Sequence, residues 1–255
     1  MRIQFRKSRR IIQYLSLIIL LLPGMGYGQL IDDLLNAGTN TIKAVDSVLL
    51  DMTSVSDTEE NQIGVELKKE ILKKVKIEHS KKYDVVKILN KILPHCKRKA
   101  IKYEVIVVKD DVFNAYAVAG GKMFLNTGLL ENLDNIDEVA FVLAHEMAHN
   151  ELKHCINRIQ HSYQAAKIQP LLGAIVQLAY ITYKHPFSKE DERAADEYAV
   201  NLMQRAGYKK AGAISFFRNL GKHEQKWKDT NLQAVNDFVS THPTAEERRK
   251  RIEKL

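Results

Sequence analysis

Only two cysteines, one tryptophan and five prolines occur in the 255 residues of this chain. A single bridge between Cys96 and Cys155 is open to it in an oxidising compartment, but one pair is no disulfide framework, and spacing does not say whether the two meet. No internal repeat is visible, so a helical-repeat array is not expected. No apolar run reaches the ~20 residues that cross a bilayer. One short run, residues 11–22, follows five basic side chains and no acidic one in the first ten positions. With the small residues Gly26-Tyr27-Gly28 behind it, this pattern reads as an export signal, residues 1–28, with an uncleaved N-terminal anchor as the alternative. No cysteine stands at the cleavage point, which argues against a lipid anchor. A second run, residues 171–183, reads as a buried helix, with a lid or membrane-contacting hairpin as the other reading.

The formal charge of +8 is largely that of the export signal, because its five basic residues leave only +3 on the remainder. That is too mild to suggest nucleic acid as a partner. Lys68, Lys69, Lys73, Lys74, Lys76, Lys81 and Lys82 cluster, which reads as a solvated helix face in preference to a surface for anionic lipid. Residues 29–55 read as a polar helical leader, and residues 56–255 are long enough for one compact domain with a core of its own.

What the chain does have is His145-Glu146-Met147-Ala148-His149, and downstream Glu192-Arg193-Ala194-Ala195-Asp196. Residues four apart on an α-helix lie one turn above each other, so His145 and His149 can grip one metal ion. Glu146 is one residue along, wrongly angled to be a ligand but placed to take a proton from a bound water. A catalytic zinc wants three protein ligands and an open position, and Glu192 is the candidate third ligand. Asp196, one turn later, would accept a hydrogen bond from the far nitrogen of a histidine ligand and fix its tautomer. With nine histidines in the chain, about 0.02 chance matches to this five-residue pattern are expected, so the local context decides.

That context is helical for both motifs. Residues 136–153 carry an apolar stripe of Ile136, Val139, Ala140, Leu143 and Met147 behind a capping pair, Asn135 and Glu138. Ser188 with Asp191 makes a second cap, opening the helix of Glu192 and Asp196. Ahead of them, residues 101–108, 112–119 and 122–126 read as three strands turned at Asp110-Asp111 and Gly120-Gly121. The expected fold class is α+β, a mainly helical zincin-like domain with a small antiparallel sheet beside the metal-binding helix. An exposed edge of that sheet could hold an extended peptide through its backbone, and Asn114, Ala115, Tyr116, Ala117 and Val118 are the candidate edge. The metzincin continuation is excluded, since the chain has Leu152 and Cys155 where that pattern needs Gly and His.

At these motifs the sequence resembles the zinc metallopeptidases that include the CAAX prenyl protease and HtpX, most closely their exported, periplasmic BepA-like branch. The likeness covers roughly residues 55–251 and includes Asn114-Ala115-Tyr116-Ala117-Val118-Ala119-Gly120-Gly121 and Thr127-Gly128-Leu129-Leu130. Tyr116, Val118 and Ala119 depart from the Phe, Leu and Pro usual there. The resemblance implies zinc on His145, His149 and Glu192, with Glu146 as the catalytic carboxylate. It also implies roles for His242, in Thr241-His242-Pro243, and for Arg248 six residues on. His242 would either fill the fourth zinc position at rest or stabilise the oxyanion together with Arg248; a helix-capping turn and a solvated helix charge are the plain alternatives. His154, about 140° around the helix from His149, is expected to point away from the metal.

The activity expected from all this is a zinc-dependent metalloendopeptidase, exported and periplasmic, with protein or peptide substrates. The resemblance implies misfolded or unassembled envelope proteins as those substrates, with peripheral membrane or envelope-protein contact. Two alternatives stand beside it: a latent or chaperone-like substrate-binding protein that retains a zinc site, and a zinc hydrolase of small amides. Glu146 speaks against the first, because a purely structural zinc would not need it.

Overall fold

Ser56 opens the first helix, α1 (Asp57–Leu72), by a reciprocal cap. Its hydroxyl accepts the Glu59 N–H at 3.2 Å while the Glu59 carboxylate accepts the Ser56 N–H at 3.0 Å, satisfying two donors that the helix start would otherwise orphan. Ile63, Leu67 and Ile71, one turn apart, are buried against the body of the molecule. The opposite face spends its lysines on glutamates: Lys69 on Glu66, Lys73 on Glu70 and Lys68 on Glu104. That part of the lysine cluster is the solvated face expected of it. Asp84 caps α2 (Val85–Ile92), which buries Ile88, Leu89 and Ile92 and ends at Pro94 in a single 3-10 turn.

Three strands follow, β1 (Glu104–Val108), β2 (Ala115–Val118) and β3 (Lys122–Asn126), in the order β1-β3-β2. β2 and β3 form the expected antiparallel hairpin. Its turn needs Gly120 and Gly121, both in the left-handed region at φ 73° and 72°. β1 pairs parallel with β3, so the sheet is mixed where an antiparallel one was expected. The cause lies at Asp110-Asp111, which is no hairpin turn. The Asp110 carbonyl instead accepts from Gly128 N–H at 2.8 Å and from the Thr127 hydroxyl at 3.0 Å. The chain thereby passes across the end of β3 and lays β2 along its far side. β3 is then the central strand, buried throughout, and β2 is an edge.

After α3 (Thr127–Asn132), Asn135 caps α4 (Ile136–Glu151), its side chain accepting the Glu138 N–H at 3.1 Å. Every residue of α4 from Glu138 onward is buried, because α5 (Lys189–Arg205), α6 (Lys210–Thr230) and β2 all pack against it. The helix stops two residues earlier than its apolar pattern suggests. Lys153 turns the chain with φ 62°, and a new helical stretch begins at residue 154. The C-terminal α7 (Ala245–Lys254), capped by Thr244, lies on α6.

This computed structural model describes residues 55–159, 187–230 and 244–255, all within one compact unit, Thr53–Leu255. The export signal, the leader over residues 29–54, the apolar run 171–183 and His242 lie outside the described residues. None of the described helices is long and apolar enough to cross a membrane. Cys96 and Cys155 are separate buried thiols.

Candidate metal centre

The turn spacing of α4 brings His145 and His149 together, their Nε2 atoms 3.1 Å apart. α5 crosses α4 so that Glu192 meets both, with Oε2 3.4 Å from His145 Nε2 and Oε1 3.6 Å from His149 Nε2. The ligands of a tetrahedral zinc at ~2.0–2.1 Å stand roughly 3.3 Å from one another. With one atom from each of the three residues all within 4.8 Å of one another, and each Glu192 oxygen 3.4–3.6 Å from one imidazole, the trio can close on such an ion. The residue types agree, two imidazoles and a carboxylate, and all three side chains are buried.

Asp196 does what its place one turn after Glu192 suggests: its Oδ1 lies 3.1 Å from His145 Nδ1. Arg248 reaches in from α7. Its Nε and Nη2 donate to the two oxygens of Asp196 at 2.9 and 2.7 Å, and its Nη1 lies 3.2 Å from Glu192. The guanidinium sits over the Phe217 ring at 4.6 Å. Arg248 is thus a buried clamp on the carboxylates of α5, not a solvated helix charge. Burial would raise the Asp196 carboxyl, but Arg248 and His145 hold it below the usual range.

The histidines are driven apart. Burial works to lower His145, but the Asp196 carboxylate 3.1 Å from its Nδ1 and the Glu192 charge outweigh it and carry the imidazole up to about 9. His149 is pushed well down by burial and then by the His145 charge, which keeps it neutral, the form a metal ligand needs. Burial lifts the Glu146 carboxyl to about 7, opposed by His145. A carboxyl near neutrality can both take and return a proton at working pH.

Glu146 faces the edge strand. Asn126 N–H donates to the Asn114 carbonyl, so antiparallel alternation turns Tyr116 and Val118 toward β3 and leaves the backbone groups of Ala115 and Ala117 on the outer side. The Ala117 N–H reaches Glu146. Next to Glu146 and His145 opens an apolar pocket of ≈ 50 Å³ walled by Phe113, Leu129, Phe141, Val142, Phe216 and Leu220.

Buried polar contacts fix this assembly. Asn150, on the helix of the two histidines, accepts the Gly121 N–H at 2.9 Å and so ties the β2–β3 turn to α4. Glu151 takes hydroxyl hydrogen bonds from Tyr103 and Tyr198 and the N–H groups of Lys97 and Arg98. Arg98 bridges Asp57 and Glu60 of α1 at 2.5 and 2.6 Å.

The structure therefore gathers His145, Glu146, His149, Glu192, Asp196 and Arg248 at one point and sets the segment 114–118 beside them. His154 is a correction: it does not point away. Because the helix breaks at Lys153, the His154 ring returns to lie 3.1 Å from His149, Nδ1 to Nδ1. Sequence reasoning missed Phe187 altogether, whose ring stacks on His149 with centroids 3.7 Å apart.

The sequence profile of peptidase family M48 matches residues 79–255. The chain is similar to the mitochondrial metalloendopeptidase OMA1 of Arabidopsis thaliana, 30% identical over 158 residues covering 60% of this chain and 31% of that one. It is similar to the metalloprotease LoiP of Escherichia coli, 27% identical over 65% of this chain and 66% of the relative. It is also similar to the beta-barrel assembly-enhancing protease of Yersinia pestis, 22% identical over 62% and 35%. It spans about a third to a half of the length of the OMA1 relatives from Arabidopsis and two yeasts. Both motif helices, the edge strand and Arg248 fall within the profile match, and the chain belongs to peptidase family M48.

Proposed function

We propose that this protein is a zinc-dependent metalloendopeptidase of the cell envelope that cuts misfolded or unassembled proteins. The observation that carries the reading is the convergence of His145, His149 and Glu192, one donor atom from each within 4.8 Å of the others, with Glu146 beside them and the edge strand β2 in front. When bound by His145, His149 and Glu192, zinc supplies Lewis acidity toward a scissile carbonyl and lowers the pKa of water. Glu146 then takes the proton of the attacking water on its carboxylate and passes it to the leaving amine nitrogen. Asp196 keeps His145 in the tautomer that offers Nε2, and Arg248 holds Asp196 and Glu192 in place. With His242, Arg248 would also help to stabilise the oxyanion.

Substrate is held extended along the outer edge of β2, over the segment Asn114, Ala115, Tyr116, Ala117 and Val118, pairing with the outward backbone groups of Ala115 and the Ala117 carbonyl while the Ala117 N–H is engaged by Glu146. Backbone pairing of this kind ignores side chains, which suits unfolded segments of many sequences. The apolar pocket beside Glu146 takes one compact apolar side chain near the cut. The envelope location is supported by the signal-like first 28 residues and by the printed name of the Yersinia relative, which speaks of β-barrel assembly.

The test is cleavage of casein, an unfolded protein, and of a stable folded protein by the purified chain. It is run as prepared, after chelation, and after return of zinc. The reading expects casein alone to be cut, cleavage to stop on chelation, and zinc near one equivalent to restore it. Cleavage indifferent to chelation would overturn it. Zinc-loaded protein that binds casein without cutting it would favour the chaperone-like alternative.

A further inference from the structure

The two ligand histidines end on different partners. His145 Nδ1 lies 3.1 Å from the Asp196 carboxylate. Among the described residues His149 Nδ1 meets no carboxylate directly; it lies 3.1 Å from Nδ1 of His154, and the other nitrogen of His154, Nε2, lies 3.5 Å from Asp191 Oδ1. The second oxygen of Asp191 is already taken by the capping bond from Ser188 N–H at 3.2 Å.

Tautomer logic orders these contacts. Two ring nitrogens at hydrogen-bond distance need one donor and one acceptor. His149 turns its Nε2 toward His145 and Glu192, so a metal there leaves the hydrogen on Nδ1. His154 Nδ1 must then accept, which puts the His154 hydrogen on Nε2, facing Asp191. We propose that His154 is a positioning residue, which orients metal ligand His149 through an Asp191-His154-His149 relay.

The inference rests on the metal-site reading above and extends it. α5 would thereby supply Glu192 as a ligand and, on either side of it, the terminal carboxylate behind each histidine, Asp196 directly and Asp191 through a second imidazole. The backbone is arranged for this: Lys153, at φ 62°, reverses the chain so that the next residue folds back on α4. Phe187, whose ring stacks on His149 at 3.7 Å and carries the Arg158 guanidinium 3.5 Å from its centroid, holds the His149 ring plane. A carboxylate or imidazole partner behind a ligand histidine fixes ring orientation and raises basicity, and its loss typically costs about 10–100-fold in metal affinity.

The experiment is the zinc dissociation constant, read by competition with a chromophoric chelator, for the parent, His154→Leu, His154→Asn and Asp191→Asn. Thermal unfolding of the metal-free forms reports which variants fold. His154→Leu removes the acceptor and should weaken zinc roughly 10–100-fold. His154→Asn, whose Oδ1 can stand where Nδ1 stood, should stay within a few-fold of the parent. Asp191→Asn keeps a capping oxygen but loses the charge, and should fall between the two. In cobalt-loaded protein the visible absorption should shift in His154→Leu and return in His154→Asn. Zinc binding by His154→Leu equal to the parent's, or His154→Asn as weak as His154→Leu, overturns the relay while leaving the metal site standing. A parent that takes up no zinc overturns both. Should His154→Leu not fold, Asp191→Asn against the parent decides: weaker zinc supports the relay, unchanged zinc refutes it.

Discussion

Arg248 brings a full charge into the interior, and Asp196 and Glu192 meet it there with hydrogen bonds and an ion pair. Truncating one partner of such a group leaves the others buried and unbalanced, at a cost of roughly 3–5 kcal/mol. Arg248→Met should therefore lower the urea midpoint of the metal-free protein by a large fraction of its stability, and by less once zinc is bound to offset the carboxylates. An unchanged midpoint in the metal-free form would show that the clamp is not structural. At this scale the sequence was most legible where chemistry and helical period coincide: His145, Glu146 and His149 announce themselves by spacing, and Asp196 by its turn after Glu192. The union of Arg248 with Asp196, 52 residues apart, has no local signature. His154 was misread because the helical wheel was carried across Lys153, where the helix has ended.

Among the elements, β2 is the one to which substrate binding is assigned. As an edge strand it keeps the N–H and carbonyl of Ala115 turned outward, where a proline does little harm to the sheet because it removes only an outward donor. Ala115→Pro should cut kcat/KM on casein about tenfold, one lost backbone hydrogen bond of ~1.4 kcal/mol, while metal content and thermal midpoint stay near the parent's. Undiminished cleavage would mean that substrate docks elsewhere. Helix starts were readable from Asn135 and Ser188, since a capping side chain acts on its own next turn. Strand β3 was readable to the residue. The partner of β1 was not, because a period of two says which residues form strands and nothing about which strand lies beside which.

Over the whole molecule, the site is held by polar contacts between distant segments: Arg98 with Asp57 and Glu60, Glu151 with Tyr103 and Tyr198, Asn150 with the turn at Gly121. These are invisible to any window of sequence, as each residue has an ordinary neighbourhood until the chain has folded. Contacts of this kind need no metal, so the scaffold is expected to stand without one. His145 and Arg248, both positive without it, already balance Glu192 and Asp196. Removing zinc should lower the thermal midpoint by the linkage amount, about 4 kcal/mol when zinc is a thousandfold above its dissociation constant, and leave one cooperative transition with the far-UV circular dichroism preserved. Loss of the transition would show instead that the ion holds the fold together.

Metal binding and proton transfer are assigned here to different side chains of one short helix segment. The measurement that tests this assignment most directly is zinc per chain, by elemental analysis, alongside casein cleavage, for the parent and Glu146→Gln. One zinc is expected in each, and cleavage in the parent alone. Zinc-loaded Glu146→Gln that still cleaves at the parent's rate would contradict it.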